Sequence, residues 1–241
     1  MFVPSSDVRE PIEEKPSLII LLKRFLILLF NTPRTASTLV LLKEMSSQTW
    51  LIGCTHFGHE AMYGFRRFNG EKVRPFSSAA EGDAKMVENW NSAVKPGDKV
   101  YVLGDVAFKP KDMEILSTLH GSKVLIKGNH DTMDLSVYRK YFYDIRATHQ
   151  LADEVLSHIP LHPGSLYRHR SKTNWVNIHA HLHAEAVLEN YDGSPDDIMR
   201  PHVSEDLRYF SVCVERIGYT PISLEEVRDR IKKRGIVEKK N

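Results

Sequence analysis

From residue 49 onward, short apolar runs alternate with polar loops. Thr49-Trp50-Leu51-Ile52-Gly53, Val100-Tyr101-Val102-Leu103 and Val124-Leu125-Ile126 are compact and rich in β-branched and aromatic residues. Each gives way to a polar segment, which predicts buried strands. Between them the apolar period lengthens. Ala80, Ala84, Val87 and Trp90 fall at helical spacing and predict a helix over 79–94. Lys111 to His120 reads as a short helix closed by Gly121, and 135–143 as another helical stretch. The second half is richer in strands, at 155–158 and 175–178. Along Arg208 to Glu215, Tyr209, Ser211 and Cys213 alternate against Phe210, Val212 and Val214, so one longer strand is expected there. Ser223 to Arg234 reads as a C-terminal helix, with Ser223 and Glu226 as a capping box and cations in the last turn.

The recurrent order is strand, polar loop, helix, with the reactive side chains at the C-terminal ends of strands. Open α/β sheets place ligands there. The expected fold class is therefore α/β, a two-sheet sandwich with its site on one edge.

The 241 residues suit one domain of about 200 plus an extension, divided here as 1–45 and 46–241. The extension reads differently from the rest. An acidic, Pro-bounded start precedes an apolar run over 18–30 that Lys23 and Arg24 interrupt. That run is shorter than the roughly 20 apolar residues a membrane span needs, and its acidic start does not suit a signal peptide. Three readings remain: a membrane-surface helix, a helix packed on its own domain or a partner, or a stretch upstream of the functional domain.

A hydrophobic share of 41% and a charged share of 27% allow an ordinary core. The net charge of +2 gives no global basic field for nucleic acid. Two cysteines, Cys54 and Cys213, make no disulfide framework and suit a reducing cytoplasm. The twelve histidines cluster toward His158–His183, a distribution more typical of a metal site than of scattered surface residues.

The candidate chemistry lies in Cys54-Thr55-His56, Gly104-Asp105, Gly128-Asn129-His130-Asp131, the lone His158, and His181-Leu182-His183. Any one segment has an ordinary explanation. Gly-Asn-His-Asp makes a turn, and two histidines at i and i+2 share the face of a wet strand. In order, each after a strand-like run, they supply carboxylate, amide and imidazole donors for two metal ions. His179 matches no ligand position and reads as supporting or structural. His59 is a candidate substrate contact. His162, His169, Arg168 and Arg170 form either a basic rim or a solvated loop. Cys213 reads as core.

These segments resemble the calcineurin-like metallophosphoesterase family, whose pattern is D-x-H, G-D, G-N-H-D/E, a lone H, then G-H-x-H. Thr55-His56-Phe57-Gly58-His59 and Tyr219-Thr220-Pro221-Ile222-Ser223-Leu224-Glu225-Glu226 resemble the small phosphoesterases of bacteriophages and bacteria. The resemblance covers about residues 49–235. It implies a four-layer α/β/β/α fold and a cytoplasmic enzyme that hydrolyses a phosphomonoester or phosphodiester. The substrate would be a phosphorylated small molecule, a nucleotide or a nucleic-acid end. The cofactors implied are two divalent transition metal ions (Mn, Fe, Co, Ni or Zn, with Mn foremost). Cys54, His56 and His183 would face the first metal and Asp105 would bridge both. Asn129, His158 and His181 would hold the second. His130 would be the catalytic acid or charge stabiliser, oriented by Asp131.

The chain departs from that pattern twice. Cys54 stands where the family has aspartate; a thiolate still ligates zinc or iron, but it adds one soft donor and reaches less far. Weaker occupancy of the first metal and slower turnover are expected, and the departure also motivates a second reading, an impaired relative serving as a binding or regulatory module. Ala180 replaces the glycine of G-H-x-H, which costs on the order of 1 kcal/mol if the position needs positive φ and almost nothing otherwise. The first departure generates a prediction: Cys54→Asp raises Mn²⁺-dependent phosphoester hydrolysis, and unchanged activity together with unchanged metal content would contradict it.

Overall fold

The computed structural model describes residues 46–67, 69–168, 173–189 and 204–234. The chain divides into two units, Met1–Ser46 and Ser47–Asn241. The apolar run at 18–30 lies outside the described residues, as do His169 and Arg170. Among the described residues no helix is long and apolar enough to cross a membrane.

The second unit is a mixed α/β structure with two principal sheets. The first contains β1 (Thr49–Ile52), β2 (Lys99–Val102), β3 (Ser122–Ile126) and β4 (Asp144–Arg146), all parallel, with β11 (Ile222–Ser223) antiparallel to β1. Its order is β11-β1-β2-β3-β4. The second contains β5 (Thr148–Gln150), β6 (Glu154–Ser157), β9 (Val176–His179) and β10 (Tyr209–Ser211), in the order β10-β9-β6-β5. Here β6, β9 and β10 are parallel and β5 is antiparallel to β6. A hairpin of β7 (Tyr167–Arg168) and β8 (Thr173–Asn174) stands apart. Parallel strands are buried on both faces, which is why β1 to β3 read as continuous apolar runs.

Alternation along the strands of the first sheet feeds two apolar clusters. Leu51, Tyr101, Val124 and Ile126 join Leu156, Val176, Ile178 and Phe210 of the second sheet. Ile52, Val100, Val102 and Leu125 point the other way, toward Met86 and Trp90 of the helix α1 (Ala79–Ala93). Ser78 caps α1 by accepting from Glu81 N–H. The C-terminal helix α3 (Leu224–Lys233) buries Val227 and Ile231 in the cluster shared by the two sheets. Ser223 accepts from Glu226 N–H at its start, and Arg230, Lys232 and Lys233 sit in its last turn.

Three of the expected elements take a different form. The segment expected as a helix over 111–120 is a 3₁₀ helix, Pro110–Thr118. The one expected over 135–143 is a single α-turn, α2 (Leu135–Tyr138), capped by Asp134. The strand expected across 208–215 ends at Ser211, because Cys213 leaves β10 to bridge Gly53 beside the first sheet. The alternation of residues 209–214 is genuine, but it serves two different neighbours.

Asp98 pins the turn before β2 to the start of β1. Its carboxylate accepts from Gln48 N–H at 2.8 Å, the Trp50 indole at 2.9 Å and Lys95 N–H at 2.9 Å. Burial pulls this carboxyl upward, but the three donors outweigh it and hold it below its ordinary 3.8. A depressed carboxylate stabilises the fold above its unfolded pKa and ceases to do so as pH falls through its folded value. Asp98→Ala is therefore expected to cost about 1–3 kcal/mol at pH 7. Urea unfolding at pH 7 and pH 3 checks this: the gap between the two proteins shrinks at the lower pH.

Candidate metal centre

The C-terminal ends of five parallel strands deliver the candidate ligands. The loop after β1 carries Cys54 and His56, the loop after β2 carries Asp105, and the loop after β3 carries Asn129 and His130. His158 follows β6, and His181 and His183 follow β9. Six non-glycine residues among those described have left-handed backbones, and five of them are site residues: Cys54 (φ 55°), His56 (49°), Asp105 (54°), His181 (71°) and His183 (53°). Such a conformation costs about 1–2 kcal/mol per residue, and its concentration here marks a place where orientation outweighs local stability. His181 and His183 therefore do not share a strand face, as their spacing suggested. β9 ends at His179, and two left-handed turns aim the rings instead.

One group of donor atoms converges on His158. Its Nε2 lies 2.9 Å from Asn129 Oδ1, 3.2 Å from Asp105 Oδ2 and 3.2 Å from His181 Nδ1. Its Nδ1 donates to Leu103 O at 2.7 Å, which fixes the ring and leaves Nε2 to face the group. A second group holds Cys54 Sγ and ring nitrogens of His56 and His183 within 4.8 Å of one another. Asp105 links the two groups, with Oδ2 also 3.7 Å from His56 Nε2. Cys54 was expected to face the first metal; its sulfur also lies within 4.8 Å of a carboxylate oxygen of Asp105 and a ring nitrogen of His158. The two groups carry imidazole, thiol, carboxylate and amide side chains, a set suited to divalent transition metals.

His56 tests the fit. Its ring is buried, yet neither Nδ1 nor Nε2 has a hydrogen-bond partner. A buried imidazole with both nitrogens unsatisfied is costly, and a cation beside it relieves one of them. Burial, with His183 alongside, lowers the His56 pKa to about 3 and keeps the ring neutral, as ligation requires. Burial pushes the Cys54 thiol well above its ordinary value, with Cys213 adding to the rise. Cys213 is buried in the core, as expected. Burial also raises Asp105, but His158, the His130 N–H and His56 together outweigh it and keep the carboxyl below its usual range.

Two residues essential to this geometry escape a reading of the sequence. Arg74, fully buried, donates to Cys54 O at 2.7 Å, to Thr55 O at 2.9 Å and to Glu215 at 2.9 Å. Glu215 Oε1 in turn lies 3.2 Å from His183 Nδ1. A single buried ion pair thus supports the Cys54–His56 loop from below and orients His183. Glycine also matters at one close approach: a Cβ on Gly128 would lie 2.3 Å from Asp105 Oδ1.

Asp131 has a different task from the one expected. Its carboxylate accepts from Asp105 N–H (2.9 Å), Val106 N–H (3.0 Å) and Gly128 N–H (2.8 Å), so it joins the β2 and β3 loops. The His130 ring lies instead beside Phe108 and His56, at 5.1 and 6.1 Å between centroids. Ala180 is not left-handed, and its methyl occupies the space that a Cβ on Gly53 would need, 2.5 Å away. Its replacement of glycine is thus nearly silent. His59 lies near the site, 6.2 Å from the His56 ring. His179 is buried and donates from Nδ1 to Ala180 O. His162 accepts from Gly164 N–H at the start of a 3₁₀ turn. A cavity of about 190 Å³ opens beside His183, lined by Arg66, Arg67, Val73, Leu182 and Glu185.

Fold and site together define a mixed α/β protein with a ligand-rich cluster at the meeting of two sheets. The chain belongs to the same family as the uncharacterized protein MJ1445 of Methanocaldococcus jannaschii, to which it is 30% identical over 194 residues, 78% of this chain and 93% of that protein. It is also similar to the gene 66 protein of Mycobacterium phage L5, at 24% identity over 60% of this chain and 82% of that protein. Among solved structures, the protein of unknown function AQ665 from Aquifex aeolicus shares the fold. Its TM-score is 0.52 at 24% identity, covering 77% of this chain and all of that one. No family model matches the chain.

The ion pair beneath the site generates the next prediction. Glu215→Gln leaves Arg74 buried without its counter-charge, a loss of roughly 3–5 kcal/mol, and frees His183, which weakens metal binding about 10- to 100-fold. Urea unfolding and calorimetric Mn²⁺ titration check the two effects separately; unchanged affinity would contradict the orienting role.

Proposed function

We propose that the chain is a calcineurin-like metallophosphoesterase, a four-layer α/β/β/α hydrolase acting on a phosphomonoester or phosphodiester at a dinuclear centre. The observation that carries this reading is the pairing of two donor groups through one carboxylate, Asp105, with the buried and unsatisfied His56 ring at their edge. His56, His183 and Cys54 would hold the first cation, Asn129, His158 and His181 the second, and Asp105 both. Divalent cations bound there would supply Lewis acidity, offsetting charge on the phosphoryl oxygens and activating water at neutral pH.

The chain's own groups carry the remaining work. His130 is exposed at the mouth of the site, where its imidazole donates a proton to the departing oxygen or balances charge on the phosphoryl group. Its backbone N–H donates to Asp105 Oδ1 at 2.9 Å, which ties the carboxylate to the loop after β3. Asp131 holds the Asp105 and Gly128 backbones in register. Arg74 and Glu215 keep the first donor group aimed. Each of these fixes geometry before substrate arrives, which lowers the reorganisation needed during reaction.

Cys54 favours a second reading. Its buried thiol, raised well above the ordinary range, must lose its proton on ligation, and a chain that holds only one cation would serve as a binding module rather than a hydrolase. Hydrolysis of bis-p-nitrophenyl phosphate with added Mn²⁺ separates the two. The enzyme reading predicts turnover in the natural chain and a loss of at least about a hundredfold in Asp105→Ala. No turnover in either protein contradicts it.

A further inference from the structure

We propose that Phe108 is a stacking platform that selects phosphoesters carrying a planar aromatic ring, a nucleobase or an aryl group. The proposal rests on the phosphoester reading and names the substrate class of that same site. Phe108 is 37% exposed, whereas its neighbours Val106 and Ala107 are buried. Three imidazoles of the site surround its ring: His59 at 4.4 Å between centroids, His130 at 5.1 Å and His56 at 5.5 Å, the last nearly parallel. Two of these belong to the chemistry proposed above, so whatever covers Phe108 stands next to the reacting phosphate.

The backbone that carries the ring is held on both sides. Just before it, Ala107 bridges Phe57, and Phe57 N–H donates to Val106 O at 2.8 Å. Just after it, Lys109 and Pro110 open the 3₁₀ helix Pro110–Thr118. An aromatic ring with two torsions on a bounded segment loses little freedom when a ligand covers it. Every nucleobase and aryl group has a π face to offer, and stacking on such a ring strengthens binding without hydrogen-bond readout. Lys109, exposed at the next position, places a cation beside the platform for the ester's anionic oxygens.

Calorimetric titration of the full chain with Mn²⁺ present, using adenosine 5′-monophosphate, ribose 5-phosphate and phenyl phosphate, tests the platform by binding alone. The monophosphate is expected to bind about tenfold tighter than ribose 5-phosphate, and Phe108→Ala to abolish that margin while Phe108→Trp keeps it. A gain for the nucleotide alone identifies a nucleoside ester as the source of the ring. An equal gain for phenyl phosphate identifies a simple aryl ester, and both support the platform. Equal binding of the nucleotide and ribose 5-phosphate, a margin that survives Phe108→Ala, or no binding of any probe overturns it. Bis-p-nitrophenyl phosphate hydrolysis reads the phosphoester reading separately: a natural chain with the nucleotide margin and no turnover keeps the platform and loses the hydrolase.

Discussion

Everything in the site depends on how Asp105 is held. Its backbone is left-handed, its N–H is tied to Asp131, one carboxylate oxygen accepts from His130 N–H, and the other faces both His158 and His56. Gly128 must lack a side chain because Asp105 occupies the space. A buried carboxylate in that position is tolerable only when positive groups or donors surround it. The parallel arrangement of β1, β2 and β3 brings those groups to one place, since the C-terminal ends of the strands lie side by side. The left-handed residues around it carry strain that the apolar clusters on both faces of the first sheet offset.

Behind the donors lies the Arg74–Glu215 pair. Buried ion pairs seldom stabilise a fold over an apolar alternative, and their retention fits a role in orientation. Here the pair spans 141 positions of sequence and touches three things at once: two carbonyls of the Cys54–His56 loop and the ring of His183. It explains how a loop of two left-handed residues stays in one conformation. It also places Cys54 on a rigid support, so its sulfur points at the donor groups whether or not it is the best ligand for them. His181 N–H donates to that sulfur at 3.1 Å, although burial still holds the thiol well above its ordinary value.

The short edge strands β4 and β11 were not expected, whereas β1, β2 and β3 were legible as short apolar runs and the helix 79–93 by its helical period. The same holds for the C-terminal helix, whose cap and terminal charges both match expectation. Residues 209–214 kept their alternation but changed partner after Ser211, and alternation alone does not name the neighbour. The spacing of His181 and His183 suggested a strand face; the positive φ values that aim them carry no sequence signal once the residues are not glycine. Arg74 and Glu215 were invisible for a different reason. A single charged residue beside apolar neighbours does not name its partner, and only the chain's return across 141 positions buries the two together. Asp131 was recognised as a site residue, but its three amide partners, on three different residues, assign it to the backbone rather than to His130.

The central claim is that two cations share Asp105 with Cys54 among their ligands. Zinc reconstitution of the full chain, followed by metal counting and X-ray absorption at the zinc edge, tests it most directly. The account predicts about two equivalents of zinc per chain, with one sulfur at about 2.3 Å from the metal. One equivalent or fewer, or a coordination shell without sulfur, would contradict it.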